Sequence, residues 1–232
     1  MTVSAPRPAA PLLHLLQLCS PSLPVGAYSY SQGLEAAMHA GWVHDEVTAR
    51  DWIIQMLDQV VARFEAPITL RLIAAFTERD ARRVRYWTDF FIAARDSAEF
   101  RAETLQMGYS LGKLLPELVP DQAALTDLLP PLSELPFPTA LAAAAVALQV
   151  NDDDALLGML FSWAENQVLA CVKSVPLGQV AGQRLLLSLG QPIAHAAQTA
   201  RQLPDDALSN WTPGLSLLSM QHEVQYSRLY RS

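Results

Sequence analysis

The sequence predicts an all-α fold: a single helical bundle of about ten helices joined by proline-rich turns. Apolar residues recur at helical spacing through most of the chain. Prolines interrupt those runs, and no long β-branched alternation marks a strand. At 232 residues the chain is long enough to bury a core without disulfides or metal.

The first segment with strong local chemistry runs from Ser20 to Glu35. Pro21 and Pro24 fix φ and remove two N–H donors, so no regular element passes through them. Gly26 lets the chain turn. Ser29 or Ser31 then caps a helix through Leu34 and Ala37. The loop presents Tyr28 and Tyr30 at a helix entrance, and ordered loops of this kind serve recognition more often than core packing. A plain connection between helices is the competing reading.

Further along, Trp52, Met56, Val60 and Phe64 recur every four residues, with Ile53, Leu57 and Val61 beside them. This predicts a helix from about Val47 to Glu65. Phe90, Ala94 and the Arg-Asp pair that follows suggest another. Ala102 to Leu115 reads as a helix stopped near Pro116. Leu141 to Leu148 is alanine-rich and helical. Asp153 to Val172 reads as the next helix, with three aspartates at its start, where negative charge suits the helix dipole. Leu177 to Leu189 and Ile193 to Leu203 complete the set. Pro116, Pro120, Pro130, Pro131, Pro136 and Pro138 cluster in a turn region, the best candidate for a hinge. Neither side looks self-sufficient, so residues 1–232 read as one domain. Residues 1–11 and 213–232 are expected to stay flexible until a partner binds.

Charged residues are only 17% of the chain, against roughly 25% for a typical soluble domain, so part of the surface is expected to be covered by other subunits. Alanine content is the simpler explanation. The net charge of −7 is uneven. Between Ala102 and Gln183 stand nine acids and two lysines, Lys113 and Lys173; all the arginines lie elsewhere. Such a surface repels phosphate backbones and favours a basic protein partner. Cys19 and Cys171 are far apart, which fits a reducing compartment. The apolar runs Leu12 to Leu18 and Ala140 to Val150 are too short to span a membrane. The expectation is a cytoplasmic protein that binds neither nucleic acid nor membrane.

No phosphate-binding loop, dinucleotide fingerprint or nucleophile elbow is present in the sequence. The five histidines are scattered without ligand spacing. Lys173, in a region of opposite charge, is either a contact for an acidic partner group or a lysine favoured by a helix C-terminus. Gly178 and Gly182, four apart, allow close helix approach. Arg228 and Arg231 could pair with carboxylates or tyrosine hydroxyls and fold the tail back.

Six blocks together carry a family resemblance: Ser20 to Glu35, Ala94 to Arg101, Leu105 to Gly112, Phe161 to Asn166, Val172 to Gln179, and Met220 to Ser232. In this order they resemble the urease accessory protein F family (UreF) over nearly the whole chain. Asp96 stands where glutamate is common in the family, and the charge is kept. The resemblance implies a non-enzymatic scaffold in urease maturation. It implies a homodimer that joins UreD (UreH in some organisms), recruits the nickel-binding GTPase UreG and presents it to apo-urease. No cofactor is then bound tightly; nickel is delivered by the pathway. The implied partner-binding candidates are Tyr28, Tyr30, Glu35, Lys173, Pro176, Gln179, His222, Glu223, Tyr226, Arg228 and Arg231. Two rival readings stand beside this one: a helical metal-dependent hydrolase, and a GTPase activator supplying an arginine finger.

Overall fold

The computed structural model describes residues 9–175 and 177–232. The fold is all-α, as expected, with no strand among the described residues. In chain order the helices are α1 (Ala9–Leu18), α2 (Leu34–His39), α3 (Glu46–Met56), α4 (Ala66–Thr77), α5 (Ala81–Ala93) and α6 (Ala98–Leu118). They continue as α7 (Ala123–Thr126), α8 (Phe137–Ala147), α9 (Asp152–Ser174), α10 (Gln179–Ser188), α11 (Gly190–Gln202) and α12 (Pro213–Glu223).

The helix expected from Val47 to Glu65 is one part of a longer rod. Between α3 and α4 the chain continues as a π-helix over Leu57–Glu65. Pro67, in the first turn of α4, explains the change of register. It has no N–H to give the Arg63 carbonyl four residues back. That carbonyl instead accepts a hydrogen bond from the Ser209 N–H at 3.2 Å, and the Ala66 N–H reaches five residues back to Val61. A helix through Ala94, Arg95 and Asp96 does not form, because α5 ends at Ala93 and Ser97 caps a new helix through the Phe100 N–H. Pro116 lies inside the last turn of α6 and does not stop it until Leu118.

Two apolar cores share α9 and the long rod. One gathers Phe64, Phe76, Phe91, Leu111 and Leu135 around α8. The other gathers Leu34, Ile53, Leu57, Cys171 and Leu189 around the α9 C-terminal half. Ala155 and Met159 face the first core, while Leu156 and Leu160 face the second. Helix α9 is long and apolar enough to cross a membrane by length and composition alone, but 56% of its apolar window is buried between these cores. Helix α8 is apolar all round, with Ala140 and Ala142 to Ala145 fully buried; such a helix belongs in an interior. Much of the apolar composition is therefore inside. The backbone of Leu135 and Pro136 lies so close to α6 that a Cβ on Gly108 would fall 2.0 Å from the Leu135 carbonyl oxygen. Gly182 plays the close-approach role expected of it, since a Cβ there would meet Val172 at 2.5 Å; Gly178 has open space.

The two ends of the chain were expected to be flexible until a partner binds. Residues 1–8 lie outside the described residues, and 9–11 begin α1. Residues 213–223 form α12, and 224–232 fold back as a tail onto α2 and α6 within the single chain. The reason is polar: the tail is held by buried carboxylates, which an apolar count does not register.

Candidate functional site

Helix α12 is fastened along the N-terminal end of α6. Ser216 donates to Asp96, the Ser219 and Ser97 hydroxyls lie 2.8 Å apart, and the Glu223 carboxylate accepts the Ala98 N–H at 3.0 Å. A carboxylate at that position also suits the positive end of the α6 dipole.

His222 is the centre of the site and is fully buried. Its Nε2 lies 3.0 Å from Glu35 Oε2, and its Nδ1 lies 2.8 Å from Glu99 Oε2. Both nitrogens donate only when the ring carries two hydrogens. Glu35 also accepts the Leu229 N–H at 2.7 Å and the Tyr230 N–H at 2.9 Å. Burial pushes the Glu35 carboxyl up, but donation from Leu229, His222 and Tyr230 outweighs it and holds the group below its ordinary value. Arg228 closes the set at 3.0 Å from Glu99 Oε1.

The end of the tail enters a second nest. Ser31 gives both its N–H and its hydroxyl to the Ser232 carbonyl, at 2.8 and 2.5 Å. The Ser31 oxygen also accepts the Glu35 N–H at 3.2 Å, although the residue at the N-cap of α2 is Gly33 rather than Ser29 or Ser31 as expected. The Ser232 hydroxyl donates to Glu103 at 2.8 Å, and Gln32 donates to the other Glu103 oxygen. The Trp163 indole N–H donates to Gln32, and the Asn166 amide donates to the Tyr30 carbonyl at 2.9 Å. Tyr30 and Arg231 both donate to Gln106. Lys173, at the α9 C-terminus, stands 5.9 Å from both the Tyr28 and Tyr230 ring centroids.

Six sequence blocks separated by up to some two hundred positions thus meet at one seat. Among the candidates, Tyr30, Glu35 and His222 are buried and hold the tail, so they present no free surface in the single chain. Glu223, Arg228 and Arg231 combine an exposed side with an internal bond. Tyr28 and Tyr226 are exposed, the latter completely. Gln179 is exposed at the start of α10, outside this set of bonds, and Pro176 lies outside the described residues. Sequence reasoning missed Glu99 and Glu103. The available signal was their four-residue spacing on one face of α6, a face that also carries the buried Phe100 and Met107.

The outside of α12 is also apolar. Leu215, Leu218 and His222 face inward, whereas Leu217, Met220 and Val224 recur at helical spacing on the exposed side. Tyr226 and Leu229 extend that strip along the tail.

The UreF family profile matches residues 43–190, more than half of the chain. The chain is also 70% identical over 224 residues to the urease accessory protein UreF of Janthinobacterium sp. (strain Marseille), covering 97% of this chain and 99% of that protein. The chain belongs to the UreF family. Its similarity to other UreF proteins is equally continuous: 59% identity to that of Nitrosospira multiformis, over 95% of this chain and 97% of the relative, and 50% to that of Azoarcus sp., over 96% of each. These UreF relatives extend well beyond the profile match, so the Ser20 to Glu35 loop and α12 fall within the shared sequence. As a UreF protein the chain is a urease accessory protein.

Proposed function

We propose that this protein is a non-enzymatic scaffold of urease maturation in the cytoplasm. It works as a homodimer, joins UreD (or UreH), recruits the GTPase UreG and presents it to apo-urease. Nickel and GTP chemistry belong to the partners, and this chain holds no tightly bound cofactor. The supporting observation is α12, which packs one side on the core and leaves large apolar side chains bare on the other. The inner face is covered by the core; the outer strip of Leu217, Met220 and Val224, extended by Tyr226, is bare. A contiguous bare apolar strip marks a contact surface, and we assign this one to the UreD-type partner. Tyr28 and Lys173, beside Tyr230 of the docked tail, are the contact for the GTPase.

Co-purification with UreD and UreG, with the mass of the chain and of each complex measured by light scattering, tests this reading. A monomeric chain that captures neither partner contradicts it. Lys173→Ala separates the two contacts. An exposed charge contributes only about 0–1 kcal/mol to stability, so the variant should fold normally and keep UreD while binding UreG more weakly. Wild-type UreG affinity in that variant would remove Lys173 from the contact.

A further inference from the structure

Three buried acids form the seat of the tail, and they are partnered differently. Glu35 faces the His222 ring, and Glu99 faces both that ring and Arg228. Glu103, only 4% exposed, faces two neutral groups: the Gln32 amide, which donates to Oε1, and the Ser232 hydroxyl at Oε2, which donates to the carboxylate and can turn to accept from the protonated acid. The cations nearby face other groups first, although the buried Arg95 Nε and Nη2 make no hydrogen bond. Arg95, in the loop before α6, pairs with Glu65 of the π-helix at 3.0 Å and stacks 4.1 Å over Phe91. Arg231 of the tail gives its guanidinium to Gln106. From the loop before α2, Tyr30 also bonds Gln106. On α6 itself, Glu99 lies one turn away and is already paired. Glu103, the Arg95–Glu65 pair, Glu165 of α9, Cys19 and Tyr28 line one cavity of about 160 Å³ whose remaining wall is mostly apolar.

We propose that Glu103 is a proton-operated latch: its carboxyl takes a proton from solvent when residues 224–232 dock, and the tail is released as that proton leaves. Ser232, 1% exposed, is the lid over this group. Lifting the tail removes the Ser232 hydroxyl and admits water, which solvates the carboxylate. Burial is the main cause that pushes the docked carboxyl from 4.5 up to about 7; Glu65 adds to it, and Gln32, Ser232 and Arg95 oppose it. A folded value raised above the free value fixes the sign. The contribution to docking is complete below 4.5 and is lost as pH rises through about 7. Glu35 gives the opposite limb, since its lowered value makes docking fail in acid. The latch concerns the isolated chain; its consequence for partner binding rests on the reading above.

Hydrogen exchange at the Leu229, Tyr230 and Arg231 amides of the whole chain tests the latch without any partner. One coupled proton predicts that their protection, corrected for intrinsic exchange, falls about twentyfold from about pH 5.5 to about pH 7.5. Glu103→Gln, which keeps the shape and stays neutral, should abolish that slope while helicity is unchanged. A flat wild-type profile, or a slope that survives in Glu103→Gln, overturns the proposal. Should the variant fail to fold, the carbon-13 titration of the native Glu103 carboxyl decides: a midpoint near 7 supports the latch, and one near 4.5 overturns it.

Discussion

His222→Ala should destabilise the chain by about 3–5 kcal/mol, the largest single-residue effect expected outside the apolar cores. The ring stands between Glu35 and Glu99, which are 4% and 9% exposed. Removing it leaves two buried carboxylates facing a void. Glu99 keeps Arg228, and Glu35 keeps two backbone N–H donors, but neither recovers the partner lost with the ring. Thermal unfolding should report a fall of roughly 10 °C for a chain of this size. Because the three residues form one network, Glu35→Gln combined with His222→Ala should cost less than the two separate effects added together. A His222→Ala protein with native stability and a protected Tyr230 amide would mean that the network does not hold the tail.

Leu217→Asp with Met220→Asp should leave the fold intact and weaken binding of a UreD-type partner about hundredfold or more. Both side chains are largely exposed, so a carboxylate at either position stays solvated in the free chain. In the complex the same carboxylates would be desolvated in an apolar contact, and central interface positions often cost 2 kcal/mol or more each. Circular dichroism should be unchanged while the titration loses affinity. Tyr226→Ala, at a side chain with no packing in the free chain, should likewise act on binding alone.

The helices were legible wherever an apolar stripe was the reason for them. The spacing of Trp52, Met56, Val60 and Phe64 gives the rod, and the aspartates at 152–154 give the start of α9. The change to π-helix was not legible. Its cause is local, at Pro67, but its compensation comes from Ser209, far along the chain. The docking of α12 was hidden for a related reason. The inner face of that helix is half polar, with Ser219 and His222 both buried, and their partners lie on α2 and α6. The charge count misled in one respect: Glu103, counted among the nine acids of an acidic surface, is inside the protein. Tyr30, Glu35 and His222 were expected on a partner-binding surface, and the fold instead buries all three in the interior of the single chain. Only the family blocks pointed to the seat, because no short window of sequence contains more than one wall of it.

The account turns on α12 and the tail being the surface that the UreD-type partner covers. Hydrogen exchange of the whole chain, alone and saturated with that partner, measures this directly. The strongest new protection should fall on residues 213–232, with a smaller gain at the α6 N-terminal end that carries them. Exchange at 213–232 that stays unchanged in the complex, with protection appearing on another face, would contradict the account.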